Sequence, residues 1–419
     1  MELSSKQLEI VNSTARNIIV CAGAGSGKTR VLTERVKRLL EGGEEPTSIV
    51  VITFTTYAAD ELKQRLNGTV HANKCFIGTI HAYANKLLKK TGYKFDIFSE
   101  DYQNKFMKIL IPKYAIYCSI ADYEKYVKLQ RRLALGKIRE SDIRSKFDSR
   151  VYNEIIELLG FEYTTKPETV VTMCRQNNII SFDELLKLTT EYFSKSNTKI
   201  KHLFVDEFQD IDYLEYNFIM KLNSDNNFFI GDDYQSIYGF KGGDVQIFLN
   251  LTNSPDWTTY MLIENYRTAK SILFYANGII KKANDIIPKE VECLSGELGK
   301  LEFKSKSQIY DFLQQINNGD SWFILTRTNK ELSTIESMLY KQSIPYHVFK
   351  RSEMTKKEID DAVRSTGIKV MTVHAAKGLE CDNVAIYGKF PTRKFDNSDE
   401  LKVFYVALTR ARYKCVVFA

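Results

Sequence analysis

One stretch constrains this chain more than any other. Residues 18–29 read Ile-Ile-Val-Cys-Ala-Gly-Ala-Gly-Ser-Gly-Lys-Thr. The apolar, β-branched start, Ile18 to Val20, has the length of a buried strand. From Thr29 to Leu40 the apolar residues fall at helical spacing, and Gly42-Gly43 is expected to stop that helix. Strand, glycine turn and helix in that order make a phosphate cradle. Glycines let the backbone wrap close to phosphates, the helix N-terminus aims N–H groups at them, Lys28 reaches the β/γ oxygens and the Thr29 hydroxyl ligates Mg²⁺. The candidate cradle is Ala22, Gly23, Ala24, Gly25, Ser26, Gly27, Lys28, Thr29 and Arg30. Ala22 stands where the strict pattern has glycine. The competing reading is a plain glycine turn between core elements.

The length, 419 residues, allows two or three domains. The net charge of +7 permits a polyanionic partner without requiring one. Cysteines 21, 75, 118, 174, 293, 381 and 415 are scattered and never spaced C-x-x-C, which fits a reducing cytoplasm and argues against disulfides, structural zinc and iron–sulfur clusters. No signal peptide or membrane-spanning run is seen, so a cytoplasmic protein with no membrane partner is expected.

Before the cradle, residues 1–17 have a helical rhythm, and Gln7 carries an amide able to read an adenine edge. Strands at Ile49–Ile52 and Cys75–Ile77 lead into Thr53-Phe54-Thr55 and Gly78-Thr79-Ile80-His81, where open α/β sheets bind ligands. Residues 90–178 change to a helical pattern rich in Lys, Tyr and Ile, and read as an inserted subdomain. Its mixture of Tyr114, Tyr117, Tyr123, Tyr126, Lys128, Arg131 and Arg132 reads either as a nucleic-acid contact or as a solvated bundle face. The strand 202–205 then ends in Asp206-Glu207, where Asp206 is expected to bind Mg²⁺ through water and Glu207 to orient or deprotonate the attacking water. After the strand 228–230, Gln235 is a candidate γ-phosphate sensor, and Tyr238, Phe240 and Lys241 offer stacking faces and a cation suited to a single nucleic-acid strand.

Taken in order, Ala22–Thr29, Thr53-Phe54-Thr55, Gly78–His81, Val205–Asp210 and Gly231–Tyr238 resemble the motifs of superfamily 1 DNA helicases of the UvrD/Rep/PcrA type. The second half continues the resemblance with Glu264-Asn265-Tyr266-Arg267, Leu325–Asn329, Val370–Glu380 and Phe404–Arg412. Strands at 322–325, 368–371 and 384–387 form a second α/β domain. The expected fold is therefore α/β, with two tandem RecA-like P-loop motor domains and a helical subdomain inserted in the first. The expected boundaries are 1–89 with 179–255, then 90–178, then 256–419.

The resemblance implies ATP hydrolysis with Mg²⁺ in the cleft between the domains, Arg267 and Arg410 crossing that cleft to stabilise the γ-phosphoryl charge. It implies Tyr266 stacking on adenine while Gln7 reads its edge, and Glu380 holding the ribose. Phe54, Thr79, His81, Tyr238, Phe240, Lys241, Arg327, Asn329, Thr372 and His374 would line a track for single-stranded DNA. Phe240 and Lys241 replace the Trp and Arg of many relatives, and Tyr57 replaces a common lysine. Relatives also carry a large second insert that regulates unwinding, whereas here only residues 350–367 fill that place, with one short helix expected at 358–364. No tail for protein partners is expected after the last strand, 415–418. A stripped, monomeric 3′→5′ translocase and helicase acting on single strands and tailed duplexes is the leading expectation, with repair, replication or recombination proteins as partners. The alternative is an ATP-gated binding switch, or a translocase that needs a partner to unwind.

Overall fold

The computed structural model describes residues 2–97, 111, 115–123, 125–126, 129, 140–159, 179–193, 200–239, 242–316, 319–349, 358–361, 365–389 and 398–419. These fall into two compact units, 1–83 with 196–419, and 84–195. The first unit holds two six-stranded sheets, both wholly parallel.

The first sheet contains β1 (Asn17–Ala22), β2 (Ile49–Thr53), β3 (Phe76–Thr79), β6 (His202–Val205), β7 (Asn226–Gly231) and β8 (Thr258–Leu262), in spatial order β3-β2-β6-β7-β1-β8. Strands β4 (Asp96–Ile97) and β5 (Ile179–Ile180) pair separately inside the second unit. A parallel sheet needs crossovers that cover its faces, so its inner strands read as unbroken apolar runs. Ile18, Ile19 and Val20 on β1 and Ile49 to Ile52 on β2 are buried throughout. Helices Ser5–Asn12 and Lys28–Glu41 cover one face, where Ile10, Val31, Leu32 and Val36 join Ile18, Val51, Phe204 and Ile230 in one apolar cluster. Helix Lys28–Glu41 ends as expected, with Gly42 N–H bonded to Arg38 O and Gly43 at φ 86°.

The second sheet is built from β11 (Lys300–Lys304), β12 (Ser321–Thr326), β13 (Tyr346–Val348), β14 (Gly367–Thr372), β15 (Cys381–Tyr387) and β16 (Ala411–Phe418), in order β11-β16-β15-β12-β14-β13. Between the sheets, β9 (Glu264–Asn265) pairs with β10 (Glu292–Cys293). One face of the second sheet packs Ile324, Val370 and Val416 against Phe312, Ile335 and Leu339. A further cluster merges Phe404, Tyr405 and Leu408 of helix Ser398–Leu408 with Ala24, Tyr234 and Ile237 of the first half. Tyr234 and Tyr405 meet edge-on there, 5.4 Å between ring centroids. The two halves of this unit thus share a core.

Two boundaries differ from those read in the sequence. The first sheet extends past residue 255, because β8 pairs in register with β1 from Ile18–Thr258 to Ala22–Leu262. The compact insert spans 84–195 rather than 90–178, since helix Ile80–Lys90 runs into it and helix Phe182–Phe193 packs inside it, Thr189 Oγ1 donating to Ala84 O. Within the insert, Tyr123 and Tyr126 are buried, and Tyr126 sits in a ring cluster with Phe147 and Tyr152, which favours a bundle core for these two. Tyr117 is half exposed, with the Arg150 guanidinium 5.5 Å from its ring. Tyr114, Lys128, Arg131 and Arg132 lie outside the described residues.

Candidate functional site

The site begins where β1 ends. After Ala22 the chain turns through Gly25 at φ 63° and Gly27 at φ 82°, and Gly27 opens helix Lys28–Glu41 in a left-handed conformation that suits glycine. The turn is clamped by the segment after β8. Gly23 N–H donates to Leu262 O (2.8 Å), Tyr266 N–H to Gly25 O (3.0 Å) and Asn265 Nδ2 to Ala24 O (2.6 Å). A Cβ on Gly25 would lie 2.7 Å from Asn265 Nδ2, so the clamp itself demands glycine there. Ser26 Oγ closes the loop onto Gly23 O at 2.8 Å. The Lys28 ammonium makes no hydrogen bond or ion pair among the described residues, yet it faces the acids, lowering the pKa of Asp206 and Glu207.

Gln7 is buried against this loop. It caps its own helix by accepting from Ser4 N–H (3.1 Å) and braces the loop by donating to Ser26 O (3.1 Å). An adenine edge would have to use the remaining lone pair and proton of that amide. Tyr266 lies alongside, its hydroxyl donating to Glu264 Oε2 at 2.7 Å, and Ser4 Oγ bonds the same carboxylate.

The acids sit at the end of β6. Asp206 N–H bonds to Ile52 O (2.9 Å), and Glu207 follows at φ 52°, its N–H on Asp206 Oδ1 (2.9 Å). A glutamate in left-handed backbone is uncommon and marks a position where orientation is imposed. Burial raises the pKa of Asp206, and the neighbouring Glu207 charge adds to the rise. Burial also pushes Glu207 upward, but Lys28 and Lys377 outweigh it and hold Glu207 low. Buried Asp206 and partly buried Glu207 offer carboxylate oxygens of the kind a hard divalent cation takes. Gln209, fully buried, donates to Glu207 Oε2 (2.6 Å) and fixes its direction.

Three side chains of the second half reach these groups. Arg410 is fully buried and donates from Nη2 to Gln235 Oε1 (2.8 Å), while Nη1 and Nε hold Leu379 O and Val406 O. Lys377 pairs with Asp210 and donates to Gln235 O (2.8 Å). Arg267 lies beside the cradle, its Cβ 2.8 Å from where a Cβ on Gly25 would stand. Its Nη1 is 3.5 Å from Glu380 Oε2, but its buried Nε and Nη2 have no hydrogen-bond partner among the described residues. Buried unmet guanidinium donors are costly unless a ligand satisfies them. Glu380 also pairs with Arg412.

On the other side of the acids lie the residues expected to follow a strand. Phe54 stacks on Tyr238, ring centroids 5.1 Å apart, and Tyr238 faces the His374 imidazole at 6.1 Å. His374 Nε2 is 3.2 Å from Ile237 O, and burial, then the Arg327 charge, lowers its pKa to about 4, so the ring is neutral at pH 7. Thr79 and Thr372 serve as helix caps, accepting from Ala82 and Ala375 N–H. His81 lines a cavity of about 130 Å³ with Phe54, Thr53 and Asp206, which joins the track side to the acids. Asn329 is exposed. Arg327 departs from the expectation of a free strand contact, because it forms a forked ion pair with Glu400, at 2.5 to 3.0 Å. Phe240 and Lys241 lie outside the described residues. Tyr57, in place of lysine, donates to Asp360 Oδ1 (2.9 Å) in the short segment that stands where relatives carry an insert.

Sequence reading did not single out Asn265 within its motif, Gln209, or Lys289. Only the first two lay in motifs that were noticed, and Lys289 carried no local signal.

Among the described residues no helix is long and apolar enough to cross a membrane, and no group of three or more His, Cys, Asp or Glu is placed to hold a metal. Comparison with known families places residues 3–256 on the UvrD/REP helicase N-terminal domain, and residues 260–364 and 347–418 on the UvrD-like helicase C-terminal domain. The chain is 28% identical to a probable DNA helicase of Mycoplasma pneumoniae over 94% of its own length and 79% of that relative. It is 28% identical to the ATP-dependent DNA helicase PcrA of Leuconostoc citreum, covering 82% of this chain and 49% of the relative. PcrA of Staphylococcus aureus is 27% identical over 86% of this chain and 52% of the relative. The chain thus spans about half the length of the PcrA proteins it matches. With both family domains matched in order along nearly the whole chain, the protein belongs to the UvrD/REP helicase family.

Proposed function

We propose that the protein is an ATP-driven motor on single-stranded DNA, moving 3′→5′ and opening tailed duplexes, with ATP hydrolysed between its two sheet-bearing halves. The observation that carries this reading is Arg267, a buried guanidinium with two unmet donors beside the phosphate loop. In this reading the cradle from Ala22 to Arg30 binds the phosphates, and Lys28 reaches the β/γ oxygens. Thr29 and Asp206 would hold Mg²⁺, whose charge would offset that of the phosphates. Glu207, aimed by Gln209, takes a proton from the attacking water as its oxygen bonds the γ-phosphorus and the bond to ADP breaks. Gln235, Arg267 and Arg410 stabilise the γ-phosphoryl charge, so that opening the cleft withdraws two arginines and closing it restores them. Tyr266 and Gln7 receive the adenine.

The strand would run past Phe54, Tyr238 and His374, whose aromatic faces suit sequence-tolerant stacking. The halves assigned to this work are 1–83 with 196–262, and 263–419, with 84–195 as the insert, and the protein is read as a cytoplasmic monomer serving repair, replication or recombination. The short 350–367 segment keeps a second reading in view, a translocase or switch that needs a partner to separate strands. Incubating a short duplex bearing a 3′ or a 5′ single-stranded tail with ATP and Mg²⁺ tests the first against the second. Opening of the 3′-tailed substrate alone is expected. Opening of neither, with hydrolysis still stimulated by single strands, favours the second reading.

A further inference from the structure

A second buried charge cluster lies behind the nucleotide site, centred on Lys289. This residue belongs to the loop between helix Lys270–Ile280 and β10, outside every motif discussed above. Its side chain is 0% exposed. The ammonium pairs with Asp232 Oδ1 (3.1 Å) and with Asp233, lies 3.5 Å from Cys21 Sγ on β1, and sits over the Tyr234 ring at 4.1 Å. The loop is pinned from both sides. Ile287 N–H donates to Asp233 Oδ2 (2.6 Å), Lys289 N–H donates to Tyr234 Oη (3.0 Å), and Tyr234 Oη donates to Lys289 O (2.7 Å).

What makes the cluster more than a structural brace is where Asp232 points next. Its Oδ2 accepts from Gln235 Nε2 at 2.5 Å, and Gln235 Oε1 accepts from Arg410. Its backbone N–H donates to Gln209 Oε1 (2.9 Å), and Gln209 Nε2 holds Glu207. Both the candidate γ-phosphate sensor and the candidate base are therefore set, at one remove, by a residue that Lys289 orients. We propose that Lys289 is a positioning residue for ATP hydrolysis, fixing Asp232 so that Gln235 and, through Gln209, Glu207 keep their reactive directions.

Burial disfavours the ammonium, but Asp232 and Asp233 keep it protonated, so the cluster is charged and directional in the resting protein. Removing the lysine leaves two buried carboxylates without a counter-charge, with Asp232 Oδ1 then held, among the described residues, only by Tyr234 N–H (3.2 Å) and open to repulsion from Asp233. A shift of about an ångström at such a support costs on the order of a hundredfold in rate.

The inference rests on the ATPase reading above. The test measures ATP hydrolysis with saturating single-stranded DNA for the wild type, Lys289→Met, Gln235→Ala and the double variant, with thermal melting of each. Expected is a tenfold to hundredfold fall in kcat for Lys289→Met, as a support of this kind implies, with KM for ATP within about threefold. Lys289→Met should then add little in the Gln235→Ala background, because one acts through the other. A folded Lys289→Met enzyme with wild-type kcat, or a loss that multiplies fully in the double variant, overturns the inference. If Lys289→Met does not melt cooperatively, Asp232→Asn takes its place in the same cycle: non-multiplicative loss supports the relay, and multiplicative loss overturns it. A wild type that does not hydrolyse ATP instead defeats the functional reading itself.

Discussion

The nucleotide side and the strand side of this molecule are built in opposite ways. Around the phosphate loop the polar groups are set in place and, among the described residues, partly unsatisfied: Arg267 keeps two buried donors unpaired there, and the Lys28 ammonium faces the acids without an ion pair. Along the proposed strand track the groups satisfy one another. Phe54 covers Tyr238, His374 meets a carbonyl, and Arg327 is forked onto Glu400. The first arrangement is poised for a ligand that supplies missing charge. The second must exchange internal partners for a strand, so strand binding competes with contacts already made. In the proposed motor, that contrast would allow a weak, reversible grip on one side and catalysis on the other.

The largest test of the contrast is on the catalytic side. Replacing Glu207 by Gln keeps the shape and the Gln209 contact but removes the proton acceptor. Steady-state turnover should fall by about a thousandfold or more, within the range positioned general bases and their neighbours contribute, with single-strand affinity measured by fluorescence anisotropy unchanged. Retained turnover would break the assignment of Glu207.

On the strand side the expected effect is smaller and of opposite sense. Glu400→Gln frees Arg327 from a pair whose side chains are each 31% exposed, and single-strand affinity should rise by up to about fivefold, since a partly solvated pair of this kind is worth about 1 kcal/mol or less. The gain should shrink as salt is raised. Unchanged affinity would mean that Arg327 is a structural ion pair and not part of the track.

The smallest test concerns the short segment in place of the insert. Tyr57→Phe deletes the bond to Asp360, and the unfolding free energy from denaturant titration should drop by about 1 kcal/mol. A drop with no change in hydrolysis would confine that contact to stability, whereas altered strand-stimulated turnover would tie it to cleft closure.

How much of this could be read from the chain follows the same division. The cradle and the acids were legible because their geometry is local. Glycines at a turn, a lysine at the helix start and an Asp-Glu at a strand end need only neighbours in sequence to be placed. The long-range ion pairs, on the track and behind the nucleotide site alike, were not, because Arg327 meets Glu400, and Lys289 meets Asp232 and Asp233, across long stretches that no local pattern connects. The edge strands β8 and β11 also escaped reading, since each is largely open to solvent and lacks the continuous apolar run of the inner strands. Glu380 belongs with these: its motif implies a ribose contact, and the fold adds two arginines, Arg267 and Arg412, at its carboxylate.

The central claim is that the hydrolytic site is completed only when the second half supplies its arginines. The most direct measurement is the ATP turnover of Arg267→Ala at saturating single-stranded DNA, with nucleotide affinity measured in parallel using a fluorescent ATP analogue. The composite site predicts that kcat falls by about a thousandfold, as for other arginines that act on the transferring phosphoryl group, while the nucleotide still binds within about tenfold of its wild-type affinity. Wild-type turnover in Arg267→Ala would contradict it.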